Sequence, residues 1–358
     1  MILSHNVNAL LIFYFSLQDF SSNAFQKYQD LPTSGVVDVV QFTINGNQFL
    51  AFAKPDTDVF NTEPFIYKMN NFTEKFSLYQ TINTTGGTDM QYFTIADTHY
   101  LAVVNFESGS TRQVKLVIYQ WNGQFFVVFQ NITLYGNGET DLKFMKIGTE
   151  PFLTIVNMYY RYTLYWIGFE IYKWINNSFD RYEVGGAKVQ AHALYGASTE
   201  FVIKNETFLV IAAGNNLYVL KWIGGLFQFL SPVTPIQLTY GARDVKSFKM
   251  NGQFLAIANY EDGKKPNILK WNGNWFVPYQ SLFTTKAIAC HPFVMYSETF
   301  LGVVDAYGKS FVYRAIGSRF FKFQEISTQW VHGMTSFVHG GHTYLVAAKN
   351  TSTVYKFK

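Results

Sequence analysis

The stretch TDMQYFTIADTHYLAVVNFESGSTRQVKLVIYQWNGQFFVVFQNI, residues 88–132, contains one complete structural repeat. An apolar strand comes first and ends in a turn at Asp97, and Leu101 then begins a second strand of small and β-branched residues. A third strand around Tyr119 and a fourth that starts at Phe126 follow after further turns. Alternating apolar and polar positions, interrupted by turn residues, predict four short antiparallel strands.

This unit recurs along the whole chain. A leucine that follows an aromatic or apolar residue at the start of the second strand marks each copy: Leu50, Leu101, Leu153, Leu209, Leu255, Leu301 and Leu345. The markers are 44 to 56 residues apart, which is typical of one blade of a β-propeller. The sequence therefore predicts an all-β, seven-bladed β-propeller of four-stranded antiparallel blades over residues 20–358.

The two ends of the repeat array complement each other. The last unit stops at Lys358 after its third strand, and the segment FQKYQDL at residues 25–31 matches the fourth-strand pattern FVPYQSL at residues 276–282. We expect the N-terminal strand to pair into the last blade and close the ring, which removes exposed sheet edges. The alternative, a pair of β-sandwiches with accidental periodicity, does not explain complementary ends.

Residues 1–19 lie outside the repeats. The apolar run Ala9–Leu17 is too short to span a bilayer, and no lysine or arginine precedes it. Two interpretations stay open, a signal peptide and the end of a truncated upstream segment. No other segment of the sequence is apolar and long enough to be a membrane span.

Composition narrows the class of partner. The 28 basic and 24 acidic residues give a net charge of +4, and the basic residues are scattered singly, so we expect no nucleic-acid partner. Cys290 is the one cysteine, which excludes an intrachain disulfide. We expect it to be a buried, unreactive thiol on an inner strand.

The blade pattern resembles a known repeat. An apolar first strand, a Phe/Tyr-Leu-Ala/Val hairpin, an Ile-Tyr-Lys-Trp-Asn strand and a Phe-x-x-Tyr-Gln strand are similar to the EAR, or epitempin (EPTP), repeat; residues 88–132 and 243–282 are the clearest copies. This repeat occurs in the secreted leucine-rich glioma-inactivated proteins and in the thrombospondin-type laminin G domain and EAR repeat protein. The resemblance implies a propeller that binds a cell-surface receptor or an extracellular matrix protein.

Aspartates recur twelve or eleven residues before the marker leucine, at Asp38, Asp89, Asp141 and Asp244. At the start of innermost strands they would converge on the central channel, where like charges repel unless a cation or water lies between them. Oxygen ligands suit Ca²⁺, and a structural channel calcium is also what the resemblance implies, matched best by Asp38 and Asp89. The alternative is that each aspartate caps its own turn through nearby backbone amides.

The third unit holds a dense group of candidate partner-contact residues in a predicted loop between its second and third strands: Tyr159, Tyr160, Arg161, Tyr162, Tyr165 and Trp166. Tyr, Trp and Arg dominate the energetics of protein interfaces. The alternative is a lengthened pair of strands that packs these rings inside.

Three functional hypotheses follow. The first is a non-catalytic extracellular adhesion or receptor-ligand module, for which six N-glycosylation sequons are available: Asn71, Asn83, Asn131, Asn176, Asn205 and Asn350. The second is a propeller hydrolase or lyase with its site in the channel, which the expected alanine, glycine and apolar inner positions disfavour. The third is an intracellular scaffold, which the single cysteine permits.

Overall fold

The computed structural model describes residues 23–55, 64–82, 84, 86–106, 114–134, 140–161, 164–182, 196–213, 215–230, 239, 241–261, 267–284, 286–307, 309–326 and 330–358. These residues form seven four-stranded antiparallel sheets arranged as a seven-bladed propeller, as predicted. Strand β1 is Phe25–Leu31, and the first three blades contain β2 Asp38–Ile44, β3 Asn47–Ala53, β4 Phe65–Asn70, β5 Lys75–Thr81; β6 Gly87–Ile95, β7 Thr98–Phe106, β8 Val114–Trp121, β9 Phe126–Thr133; β10 Thr140–Ile147, β11 Glu150–Arg161, β12 Leu164–Ile175 and β13 Ser178–Tyr182. The remaining blades contain β14 Gly196–Ile203, β15 Glu206–Ala213, β16 Asn216–Ile223, β17 Leu226–Phe229; β18 Ala242–Lys249, β19 Gln253–Asn259, β20 Asn267–Trp271, β21 Phe276–Ser281; β22 Ala287–Met295, β23 Glu298–Asp305, β24 Ser310–Ile316, β25 Arg319–Ile326; β26 Gly333–His339, β27 His342–Ala348 and β28 Ser352–Phe357.

The ring closes through its two ends. Strand β1 is the outermost strand of the seventh blade and pairs antiparallel with β28, from Phe25 opposite Phe357 to Leu31 opposite Ser352. Backbone bonds continue past the strands, since Ala24 and Lys358 each donate an N–H to the other's carbonyl, at 3.1 and 3.2 Å. The predicted closure is confirmed.

The apolar core lies between blades rather than in one central mass. Each cluster of buried side chains draws on two neighbouring blades, as where Phe93 of the second blade stacks on Phe144 of the third with ring centroids 4.4 Å apart. The marker leucines are fully buried in these clusters. Burying a large apolar side chain contributes about 1.5–3 kcal/mol, so repeated blade-to-blade contacts stabilise the ring at every junction.

A glutamine clasp joins the outer strands of neighbouring blades. The side-chain amide of Gln80 donates to the carbonyl of Phe126 and accepts from its N–H, at 2.7 and 3.0 Å. The same pair of bonds links Gln29 to Phe76, Gln130 to Phe179, Gln280 to Phe320 and Gln324 to Phe25. The glutamine of the Phe-x-x-Tyr-Gln pattern therefore connects neighbouring blades.

The propeller has two faces, which we name by the strand connections that lie on them. The loop face carries the connections between second and third strands and between blades, and the turn face carries the tight turns between first and second and between third and fourth strands.

No helix in the described part of the chain is long and apolar enough to cross a membrane.

Candidate binding site

The four predicted aspartates lie near the beginning of four inner strands, β2, β6, β10 and β18. All four line one cavity of about 490 Å³ at the mouth of the central channel, on the loop face. The structure therefore brings Asp38, Asp89, Asp141 and Asp244 to a common space, as the sequence indicates.

Three of these carboxylates connect neighbouring blades. Asp89 accepts the backbone N–H of Leu142 at 2.6 Å, Asp141 accepts that of Ser198 at 3.0 Å, and Asp244 accepts that of Cys290 at 2.9 Å. In each case the donor is on the inner strand of the next blade. The alternative of local capping holds in part, since Asp89 also accepts the N–H of Met90 at 2.8 Å and Asp38 accepts that of Val39. The three bonds to the next blade are additional to it.

Asp38 and Asp89 form a pair of half-buried carboxyl groups at the channel mouth. Burial raises the pKa of Asp38, and burial together with the charges of Asp38 and Asp141 raises the pKa of Asp89 well above its usual value. The two side chains are within hydrogen-bond reach of each other. The pair thus holds a proton at a pH where a free aspartate would have lost it.

Two lysines also occupy the channel mouth. Lys246 Nζ lies 3.0 Å from an oxygen of Asp244, and Lys143 Nζ lies 4.0 Å from an oxygen of Asp141. Burial alone would lower the pKa of Lys246, but the attraction of Asp244, Asp141 and Asp89 outweighs it and raises the pKa. The expectation that the inner positions beyond the aspartates are only alanine, glycine and apolar is therefore wrong.

A signal for these lysines exists in the sequence. Each lies two residues after its aspartate, in Asp141-Leu142-Lys143 and Asp244-Val245-Lys246. Side chains two apart on a strand point the same way, so a channel-facing aspartate predicts a channel-facing lysine.

The carboxylates at the channel mouth decide whether the calcium ion that the resemblance implies fits this site. In the described part of the chain, no group of three or more His, Cys, Asp and Glu side chains gathers closely enough to hold a metal. Asp141 and Asp244 have lysine partners, whereas Asp38 and Asp89 are adjacent carboxyls that a divalent cation would stabilise by displacing their proton. The chemistry of this pair fits a cation that takes its other ligands from water or backbone oxygens.

Cys290 and His291 lie beside the same channel. The thiol is buried, as expected, and burial followed by the charge of Asp244 raises its pKa well above the usual value. Burial and then the charge of Lys246 lower the pKa of His291 to about 4, so its ring is neutral at pH 7. His291 Nε2 lies 2.8 Å from the hydroxyl of Ser336 on the next blade, another bond between inner strands.

The predicted partner-contact group has a different backbone setting from the one expected. Tyr159, Tyr160 and Arg161 belong to β11, and Tyr165 and Trp166 belong to β12, whereas Tyr162 is outside the described residues. The loop assignment is wrong, because the segment continues the hairpin ladder through Tyr159 opposite Trp166 and Tyr160 opposite Tyr165. The aromatic, β-favouring composition explains why the strands lengthen here.

Five of the six sequon asparagines lie in the described residues, and all five are exposed: Asn71, Asn131, Asn176, Asn205 and Asn350. Asn71, Asn176 and Asn205 are on the turn face, Asn131 is on the outer strand β9, and Asn350 follows β27 on the loop face. Asn83 is outside the described residues.

Comparison with known proteins shows which repeat family part of the chain is similar to. The EPTP domain family model matches residues 24–68 and 75–122, which cover β1, the first blade and most of the second. The seven blades and their inter-blade clasps define a repeat propeller. Residues 24–68 and 75–122 are thus similar to the EPTP, or EAR, repeat family.

Two relatives show how far the likeness extends. The human thrombospondin-type laminin G domain and EAR repeat-containing protein is 32% identical over 141 residues, 39% of this chain and 21% of that protein. Mouse leucine-rich repeat LGI family member 2 is 23% identical over 337 residues, 91% of this chain and 56% of that protein. The chain therefore spans about a fifth and about half of the lengths of these relatives.

Two solved structures share the architecture. A putative 6-phosphogluconolactonase from Bacteroides uniformis matches with a TM-score of 0.58 and 10% identity, covering 80% of this chain and 84% of that one. BBS1N in complex with ARL6DN matches with a TM-score of 0.58 and 14% identity, covering 93% and 96%. Likeness at this level of identity shows the fold alone.

Proposed function

We propose that this chain is a non-catalytic extracellular interaction module that binds a cell-surface receptor or an extracellular matrix protein through the loop face. The observation that carries the proposal is the length of one hairpin. Strands β11 and β12 pair at ten positions, whereas β3 and β4, or β19 and β20, pair at four.

The added length continues past the end of the inner strand of its blade. The inner strand β10 last pairs with β11 where Thr140 is opposite Asn157, and β11 continues to Arg161. Four further residues at ~3.3 Å each extend the hairpin by about 13 Å on the loop face. A lengthened hairpin rich in Tyr, Trp and Arg, including Tyr160 and Trp166, is suited to contact a partner.

Sequon placement supports the extracellular setting. Exposed asparagines on turns accept N-glycans in a secreted chain, and three of them are on the turn face. Glycans there would leave most of the loop face accessible. An intracellular scaffold would carry none, so glycan analysis of the six asparagines in protein from its native source distinguishes the two settings.

A structural Ca²⁺ at Asp38 and Asp89 is part of the proposal. The ion would neutralise the half-buried carboxyl pair and so strengthen the junction between the first and second blades. Ligand present at a hundredfold excess over its Kd stabilises a fold by about 2.7 kcal/mol, so the thermal midpoint should rise with Ca²⁺ and fall with chelator. The Asp38→Asn variant should lose this response; equal midpoints in the wild type with and without chelator would contradict the ion.

Binding is tested by screening the purified secreted chain against cell-surface ectodomains and matrix proteins. We expect at least one partner, and an affinity about tenfold or more lower for the Tyr160→Ala, Trp166→Ala double variant. Phe72→Ala is the control, since Phe72 is 98% exposed on the turn face. The absence of any partner would contradict the function, and equal binding by the double variant would contradict the hairpin's role.

A further inference from the structure

A chain of aromatic and cationic side chains crosses the loop face of the fifth, sixth and seventh blades. Its members, which we call the aromatic rim, are Arg243, Tyr260, Lys286, Tyr307 and Trp330. The hydroxyls of Tyr260 and Tyr307 are 3.2 Å apart. Lys286 Nζ lies 5.2 and 5.1 Å from the centres of these two rings, and Arg243 Cζ lies 4.6 Å from that of Tyr260.

Trp330 ends the rim. Its ring meets that of Tyr307 edge-on, with centroids 5.9 Å apart, and the two residues are 56% and 57% exposed. Trp330 has a φ of +60°, the left-handed conformation that a bulky residue rarely adopts. Such strain costs about 1–3 kcal/mol and occurs most often at functional sites, and here it holds a large apolar ring in solvent.

The rim follows from the register of the blades. Arg243 is in β18 and Lys286 precedes β22, both at the start of an inner strand; Tyr260 and Tyr307 follow the second strands β19 and β23. Trp330 lies between β25 and β26. Every one of these positions is on the loop face, and Arg243 also lines the channel mouth.

Charge selects the kind of partner. Arg243 and Lys286 are positive, and stacking on phenol rings holds both side chains in place. The nearby acid Asp305 is 1% exposed and accepts the backbone N–H groups of Lys286 and Tyr307 with its two oxygens, so it points inward. Glu261, beside Tyr260, is exposed, and its carboxylate would oppose an anion.

We propose that the aromatic rim binds an acidic, aromatic-containing segment of a protein partner. The inference rests on the proposed function and adds the chemistry of what is bound. Carboxylates of the segment would meet Arg243 and Lys286, and an apolar side chain would pack on Trp330. Preformed stacking lowers the entropic cost of ordering these long side chains on binding.

The test uses a labelled, soluble glutamate–tyrosine copolymer and the full chain. We expect saturable binding that weakens as salt rises, and a loss of about tenfold or more in each of Arg243→Ala and Trp330→Ala. Lys249→Ala, at an exposed lysine on the turn face, is the matched charge control and should bind as the wild type does. Glu261→Gln should bind more tightly.

Several results would overturn the proposal: no binding, equal binding by Arg243→Ala and Trp330→Ala, or equal binding of a lysine–tyrosine copolymer. Preferential binding of a heparin oligosaccharide would assign the rim to glycans instead.

The ectodomain screen separates this inference from the proposed function. A chain that binds its partner equally well with and without the rim substitutions keeps the function and loses the inference. Circular dichroism and thermal midpoints establish that the variants fold.

Discussion

The side-chain amide of Gln324 makes two hydrogen bonds to the backbone of Phe25, although the two residues are 299 positions apart in the chain. Its oxygen accepts the N–H and its nitrogen donates to the carbonyl, both at 2.8 Å. The same clasp that joins consecutive blades elsewhere therefore joins the sixth blade to the N-terminal strand.

The two hydrogen bonds between Gln324 and Phe25 should stabilise the fold as much as the equivalent glutamine bonds between other blades. Gln324→Ala leaves two backbone groups of Phe25, itself 3% exposed, without this partner, so we expect a loss of about 1–3 kcal/mol in the free energy of unfolding. Gln280→Ala should cost a similar amount. Gln228→Ala, at an exposed position of β17, is the control. Denaturant titration measures all three, and a Gln324→Ala variant as stable as the control would contradict the role of the clasp.

The inner strands have an equivalent connection in Asp141. Its carboxylate accepts both the N–H and the hydroxyl of Ser198. Asp141→Ala should lower the free energy of unfolding by about 1–3 kcal/mol, and Ser198→Ala, which removes the hydroxyl alone, by about 1 kcal/mol. Exposed Asp180→Ala should change it little. The opposite ranking, with Ser198→Ala the more damaging, would show that the N–H bond contributes nothing.

His291 should make stability depend on pH. Its pKa falls from 6.5 to about 4 on folding, so between these values the unfolded chain binds a proton that the folded chain does not. Stability should therefore fall as pH drops from 6.5 to 4, by up to about 3 kcal/mol from this residue. The raised pKa values of Asp38 and Asp89 act in the opposite sense, so the quantity to follow is the difference between wild type and variant.

His291→Gln keeps a hydrogen-bonding group for Ser336 and removes the titration. Across the same pH range the variant should gain stability relative to wild type as the solution is acidified. His342→Gln, at the exposed start of β27, is the matched control variant. Parallel curves for wild type and His291→Gln would mean that the imidazole is not held neutral in the channel.

Cys290 should resist thiol reagents while the chain is folded. The thiol is buried and its pKa is raised, so the reactive thiolate is scarce and shielded. Labelling should proceed at the rate of unfolding and become fast in denaturant. Rapid labelling of the native chain would contradict the closed packing between the fifth and sixth blades.

The repeat architecture could be predicted from the sequence because the same strand and turn pattern recurs in every blade. The marker leucines recur every 44 to 56 residues, and the fourth-strand pattern that begins at Phe25 predicted the pairing with the last blade that Phe25 and Phe357 make. Asp38, Asp89, Asp141 and Asp244 could be placed at the channel for the same reason: a repeat fixes their register.

Features that join different repeats could not be predicted in this way. The aspartates reach amides on the next blade, and the rim contact between Tyr260 and Tyr307 depends on how two blades are placed side by side. The β11–β12 extension also required the structure, because an aromatic run with β-branched neighbours fits either a loop or longer strands.

A glycan introduced on each face tests the central claim that the loop face binds the partner. Tyr307→Asn with Lys309→Thr creates a sequon on the loop face, and Gln124→Thr creates one at Asn122 on the turn face. Tyr307→Gln with Lys309→Thr is the unglycosylated control. Binding to partner-bearing cells should be abolished by the loop-face glycan beyond the effect of its control and preserved with the turn-face glycan; the reverse pattern would contradict the account.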